Sequence, residues 1–418
     1  MSKFEIEGDK KLSGEIPVYG AKNAAMKMIA AAIVIKNKVT LENVPDILDI
    51  QTIVDILVNG GAKITRRGHS LEIDTSVLSN ENPDAALVEK MRGSVVLIGP
   101  YLARYGQITI PQPGGCSIGN RPIDTHLDAF RQLDVNITET DCGFIFKTNG
   151  KIKASSVTLK EASVTATENI LMAVVTSEGQ TVINNAACEP EIGDLIEFLS
   201  KAGAKISGSG TKVIKITGVN QLKKVDHKVI PDRIETGTFV ALAIVTKSPL
   251  KITHCNPKHL TAYLDKVKEM GVKLKCGKDS IEVEKIPELK PVNVQTAVYP
   301  GFATDLQAPM GLILTQGSGK SKLEENLFEN RFGYLDQLVK MGAKVQFISN
   351  REAEITGPTH LIPAAVEGLD LRAGATMILA GLAAHGKSTI LDAEIIDRGY
   401  EKIEERLKKV GARIQRVS

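Results

Sequence analysis

The sequence predicts an α+β protein built from six repeats of about 70 residues, grouped into two globular domains of three. Three observations predict it. A short helix-turn-strand pattern recurs down the whole chain, an apolar helix-turn-strand element recurs between its copies, and 418 residues are too many for one ordinary core.

The short pattern reads VNGGAKITRR from Val58, RQLDVNITET from Arg131, SKAGAKISGS from Ser200, KEMGVKLKCG from Lys268, VKMGAKVQFI from Val339 and KKVGARIQRV from Lys408. In each copy a helical stretch closes on a small residue and a strand with alternating apolar positions begins. Glycine, or Asp134 in the second copy, suits the left-handed residue that ends a helix. The second element appears as NAAMKMIAAAIVIKNKVTLENV, TENILMAVVTSEGQTVINNA, GTFVALAIVTKSPLKITHC and GATMILAGLAAHGKSTILDA. Such helices are hydrophobic nearly all round, which places them inside, with the sheets outside. The first strand, KFEIEG, has no partner close in sequence, so the later half is where it would pair. The stretch HKVIPDRIETGTF, residues 227–239, is the expected crossing between the halves.

Bulk properties exclude several classes. A formal charge of +3 and 4% aromatic residues argue against nucleic acid, for which basic surfaces and stacking platforms are needed. The five cysteines (Cys116, Cys142, Cys188, Cys255, Cys276) are odd in number and form no CxxC pair, so neither a disulfide framework nor a zinc ribbon is expected. No apolar run reaches the roughly 18 residues of a membrane span, and MSKFEIEGDKKLSGEI lacks the apolar core of a signal peptide. No membrane partner and a cytoplasmic location are therefore expected. GLAAHGKS, residues 381–388, matches a phosphate-loop pattern but is refused. That loop needs a strand before it and a helix after it, and here the order is reversed.

Four stretches have the residue types for chemistry. GAKNAAM opens the first apolar helix with Lys22 and Asn23 at its N-terminus, where free N–H groups favour an anion; a solvated lysine and a simple cap are the plain alternative. PGGCSIGNRPIDTH sets Cys116 behind a Gly114-Gly115 turn, close to Arg121, Asp124 and His126. Two readings of Cys116 stand level: a buried structural residue and a thiol activated by a positive loop. With no second ligand at metal spacing, His126 reads as a packing or hydrogen-bonding residue. PGFATDLQAPM puts Asp305 where a helix cap or a carboxylate base would stand. Arg92, Arg121, Arg331, Arg372 and Arg398 lie near loops in several repeats, and arginine suits bidentate capture of phosphate and carboxylate.

Taken together, GAKNAAM, PGGCSIGNRPIDTH, PDRIETGTF, TDLQAPM, FENRF, DLRAGA and DRGYE resemble the enolpyruvyl transferases that act on UDP-N-acetylglucosamine, from first strand to last and in the family's order. PGGC is the most specific of them, separating this group from the shikimate-pathway relative. The resemblance implies a two-domain inside-out α/β barrel, three repeats per domain, closing on substrate. It joins residues 1–20 to 230–418 and leaves 21–229 as the domain with the Cys116 loop. It also implies transfer of enolpyruvate from phosphoenolpyruvate to the 3-hydroxyl of UDP-N-acetylglucosamine, the first committed step of peptidoglycan synthesis, with no metal or organic cofactor.

Carried over residue by residue, the resemblance makes Cys116 the general acid at C3 of phosphoenolpyruvate and Asp305 the acceptor of the hydroxyl proton. Lys22, Arg121 and Arg398 would clamp phosphate and carboxylate, with Arg331 and Arg372 completing the positive site. Asn23, Arg92, Asp305 and Leu327 would contact the UDP-sugar. Arg121, Pro122, Ile123, Asp124 and Thr125 would hold its uridine end. Three positions depart from the family: Thr165 replaces a usual glycine, Thr125 a usual leucine and Ala303 a usual proline. A shikimate 3-phosphate enzyme and an idle UDP-sugar-binding paralogue are the alternatives; PGGC argues against the first, and retention of Lys22, Cys116 and Asp305 against the second.

Overall fold

The computed structural model describes residues 2–111 and 123–417. The sixfold repeat is plainest at its closing turns. Gly61, Asp134, Gly203, Gly271, Gly342 and Gly411 have φ of 100, 59, 101, 98, 93 and 99°. Each follows an outer helix: α2 Leu48–Asn59, α4 Asp124–Arg131, α6 Pro190–Lys201, α8 Thr261–Glu269, α10 Gly333–Lys340 and α12 Ile403–Lys409. After each turn the next N–H reaches back five residues, as in Ala62 to the Leu57 carbonyl and Ala412 to the Leu407 carbonyl. This is the Schellman closure, which satisfies the orphan carbonyls of a helix end and favours a residue without Cβ.

The odd-numbered helices are the inner ones: α1 Lys22–Ile35, α3 Ile98–Tyr105, α5 Val164–Val174, α7 Arg233–Val245, α9 Gln307–Leu314 and α11 Leu371–Ala383. Every residue of α1 from Ala24 to Ile35 is buried, as is every residue of α7 from Ile234 to Val245. All-round burial is what an all-round apolar helix requires. Where α3 meets α5 the backbones touch. A Cβ at Gly99 would stand 2.1 Å from the Asn169 carbonyl oxygen, so only glycine fits. Asn169 bridges the same contact, accepting from the Gly99 N–H (2.8 Å) and donating to the Val95 carbonyl (3.0 Å).

The first five repeats run inner helix, strand, outer helix, then a hairpin, and the sixth ends on the single strand Arg413–Val417. In the first repeat the strands are Lys38–Glu42, Lys63–Arg67 and Ser70–Asp74, with Val225–Lys228 added in parallel at the edge. Among the described residues this gives six sheets, five of four strands and one of three. Inward strand residues are buried and outward ones exposed or half-buried, so the sheets cover the helices from outside. The first strand, Lys3–Glu7, completes the last repeat: it lies between Lys387–Leu391 and Arg413–Val417, pairing Phe4 with Ile390 and Ile6 with Ile414. Gly14–Pro17 pairs in parallel with Leu250–Thr253.

Among the described residues, one compact unit comprises 2–19 with 231–417, and the other 20–111 with 123–230. The GLAAHGKS segment lies across the end of α11 and the strand Lys387–Leu391, so Lys387 opens a strand and not a helix. Among the described residues, no helix is long and apolar enough to cross a membrane.

Candidate functional site

In the unit of residues 20–111 and 123–230, α1 starts at Lys22 after Ala21, which provides no side-chain cap. The first N–H groups of α1 are thus left without a side-chain acceptor from the cap position. Lys22 Nζ lies 2.9 Å from Asp49 Oδ2, and Asp49 is buried in the first turn of α2. Asn23 stands in the first turn and is half-buried; it is not the cap. Arg92 opens a 3-10 turn, Arg92–Leu97, that runs into α3. Asp124 is exposed as the first residue of α4, whereas Ile123 and Thr125 are buried.

The threonines that depart from the family pattern both use their hydroxyls within this unit. Thr125 Oγ1 donates to Glu161 Oε1 at 3.1 Å, and Thr165 Oγ1 is 3.0 Å from His126 Nε2. Burial, and then the charge of Arg92, push the His126 pKa down to about 4. A neutral imidazole follows near neutral pH, suited to a hydrogen bond. Among the described residues, no group of three or more His, Cys, Asp or Glu is arranged to hold a metal ion. Cys116, Arg121 and Pro122 lie outside the described residues, in the stretch between the strand Gln107–Pro111 and Ile123.

In the unit containing residues 231–417, Asp305 belongs to a 3-10 turn, Thr304–Leu306, leading into α9. The cap position is Ala303, so the helix-cap reading of Asp305 is corrected. Its carboxylate instead accepts from two buried arginines: Arg331 Nη2 to Oδ1 at 2.9 Å and Arg372 Nε to Oδ2 at 3.3 Å. Arg372 is set at the start of α11 by Asp370, which caps the helix through the N–H groups of Arg372 and Ala373. Ala303 has φ −66°, the angle proline enforces, so the usual proline can be replaced here without redirecting the chain. Leu327 is half-buried. Arg398 is half-buried after the helical turn Ala393–Ile396, beside Asp397, which pairs with Arg416 at 2.6 and 2.8 Å.

Two residues that sequence reasoning passed over organise these groups. Asp49 reads in the sequence as an ordinary acid in a helix's first turn, yet it fixes Lys22. Glu325, fully buried, accepts from Thr296 Oγ1 (2.9 Å), Thr304 Oγ1 (2.7 Å) and the N–H groups of Leu327 (2.8 Å) and Phe328 (3.2 Å). It thereby ties the Asp305 turn to the Leu327 segment. Its place six residues before Arg331 is the one sequence signal that it carried.

Comparison with known proteins adds the family. Residues 6–407 match the family model described as EPSP synthase (3-phosphoshikimate 1-carboxyvinyltransferase). The UDP-N-acetylglucosamine 1-carboxyvinyltransferase 2 of Carboxydothermus hydrogenoformans is 45% identical over 420 residues, covering 100% of both chains. The crystal structure of the enolpyruvyl transferase NikO from Streptomyces tendae aligns with TM-score 0.90 at 25% identity, over 100% of this chain and 99% of that one. EPSP synthase from Acinetobacter baumannii aligns over 100% of both chains with TM-score 0.75 at 17% identity, a likeness of fold alone. By its full-length identity and its fold, the chain belongs to the UDP-N-acetylglucosamine 1-carboxyvinyltransferase family of enolpyruvyl transferases.

Proposed function

We propose that the protein transfers the enolpyruvyl group of phosphoenolpyruvate to the 3-hydroxyl of UDP-N-acetylglucosamine, the first committed step of peptidoglycan synthesis. The observation that carries this reading is 45% identity along the whole chain with an enzyme bearing that name. The hydroxyl oxygen adds to C2 of phosphoenolpyruvate while C3 takes a proton. The tetrahedral intermediate then loses phosphate from C2 and a proton from C3. Phosphoenolpyruvate brings its own activated leaving group, so the proposal includes no metal or organic cofactor.

Cys116 gives the proton to C3, and Asp305 receives that of the attacking hydroxyl. Support for Asp305 lies in its fixed geometry: Arg331 and Arg372 hold both carboxylate oxygens, so it is oriented before substrate arrives. Lys22, Arg121 and Arg398 bind the phosphate and carboxylate of phosphoenolpyruvate, and Asp49 holds Lys22 in readiness. Asn23, Arg92 and Leu327 contact the UDP-sugar, and residues 121–125 hold its uridine end. The free thiols of the four described cysteines agree with a reducing, cytoplasmic location.

The test is phosphate release from phosphoenolpyruvate with UDP-N-acetylglucosamine or shikimate 3-phosphate as acceptor, wild type beside Cys116→Ser. Release that needs the UDP-sugar and falls with the substitution is expected. Release with shikimate 3-phosphate alone overturns the substrate, and binding of the UDP-sugar without release marks an idle paralogue.

A further inference from the structure

We propose that Lys27 and Glu168 form a positioning pair that fixes the first turn of α1, and with it Lys22 and Asn23, against the start of α5. The inference rests on the roles just proposed for Lys22 and Asn23. Lys27 Nζ lies 3.1 Å from Glu168 Oε2 and donates to the Asn23 carbonyl at 3.1 Å. Lys27 is 4% exposed and Glu168 0%, so both charges sit among the apolar residues of the inner helices. Beyond that ammonium, no hydrogen-bond donor reaches the Glu168 carboxylate among the described residues.

A buried ion pair is a poor way to gain stability, since apolar side chains of the same volume usually do as well. What it adds here is position. The inner helices α5, α7 and α11 are capped by Ser163, Asp232 and Asp370, but Ala21 cannot cap α1. The ammonium supplies a tether instead, bonded at one end to the first-turn carbonyl and at the other to a neighbouring helix. Glu168 also faces Glu189 and Glu191 at the start of α6, while His126 of α4, with Arg92 beside it, faces Thr165. Burial first, and then Glu191 and Glu189, against the opposing effect of Lys27, raise the Glu168 pKa to about 7. The tether is therefore a full ion pair above that pH and slackens as Glu168 takes up a proton below it.

The experiment compares full-length wild type, Lys27→Arg and the apolar double variant Lys27→Met/Glu168→Leu. It reads Tm, amide-exchange protection along α1, and the kinetic constants for both substrates. In the double variant Tm should stay within about 3 °C or rise. Protection at residues 22–26 should fall about tenfold while that at 29–35 holds, and KM for UDP-N-acetylglucosamine should rise about tenfold. Lys27→Arg should retain both. Wild-type protection at 22–26 should also drop between about pH 8 and pH 6, and not in the double variant. A double variant with wild-type protection and KM overturns the proposal. If it fails to fold, Lys27→Arg and the wild-type pH dependence decide. If wild type itself releases no phosphate, the proposed reaction fails, while the exchange measurement still judges the tether.

Discussion

Replacing Glu325 tests whether the Asp305 turn is held from behind. Its Oε1 accepts from Thr296 and from the N–H groups of Leu327 and Phe328, and its Oε2 from Thr304. In Glu325→Gln one oxygen can still face the three donors, and the Thr304 hydroxyl can turn to accept from the new amide. The cost should be about 1 kcal/mol, the difference between charged and neutral hydrogen bonds partly offset by not burying a charge. Glu325→Ala leaves two backbone N–H groups without their acceptor, at about 1–3 kcal/mol each, and opens a small cavity. About 3 kcal/mol is expected after the hydroxyls find other partners. For a unit of this size that lowers Tm by roughly 6–12 °C, against about 2–4 °C for the glutamine variant. Because Thr304 adjoins Asp305, kcat/KM should fall about a hundredfold in the alanine variant and less than tenfold in the glutamine one. Thermal melts and phosphate-release kinetics measure both. An alanine variant with wild-type Tm and kcat/KM would refute the argument.

The remaining predictions concern four other groups. Lys22→Ala should lose turnover while keeping the far-ultraviolet dichroism of wild type; near-normal activity would break the clamp assignment. Mild alkylation should modify Cys116 first, with protection by bound substrate. Cys255 should react last, since burial pushes its thiol up to about 12, and equal labelling of all five cysteines would count against this. A carboxyl whose pKa is raised in the fold stabilises most below its unfolded value and loses that contribution as pH rises through its folded value. Glu168, raised from 4.5 to about 7, should thus make the stability difference between wild type and Glu168→Gln fall by about 3 kcal/mol from pH 4.5 to pH 8, measured by urea unfolding. A flat difference would deny the shift. Asp134→Gly should stabilise by about 0.5 kcal/mol, since an acid at φ 59° closing a helix C-terminus opposes both the backbone and the dipole; loss of stability would show that the side chain holds something.

The fold was legible wherever a local rule repeats. Six turns ending outer helices need a left-handed residue, and glycine or aspartate marks each of them in the sequence. Four of the six inner helices, α1, α5, α7 and α11, advertise themselves by being apolar nearly all round, whereas α3 carries Arg104 and keeps Ala103–Tyr105 half-buried. The partner of the first strand was legible in part: KFEIEG visibly lacked a neighbour, but its seat between Lys387–Leu391 and Arg413–Val417 is a pairing across the length of the chain. Within the candidate site, charged residues at helix starts stood out by type. Their holders did not, because Asp49 and Glu325 act through tertiary contacts that leave no spacing pattern. Asp305 shows the same limit: by position it reads as a cap, and only the approach of Arg331 and Arg372 from distant segments gives it another use. Lys27 looks in sequence like an error in an apolar helix until Glu168 is found opposite.

The seat of the first strand has a consequence for the order of events on the ribosome. The described residues of one unit, 20–111 and 123–230, fall within a single span of the sequence, whereas the other unit needs residues 3–7 and 14–17 together with segments made after residue 231. Its opening strand must wait, with both edges unpaired, until Lys387–Leu391 and Arg413–Val417 have been synthesised. Alternating Lys3, Glu5 and Glu7 with Phe4 and Ile6 gives that waiting strand charges on one face, a composition that discourages edge-to-edge aggregation during the delay.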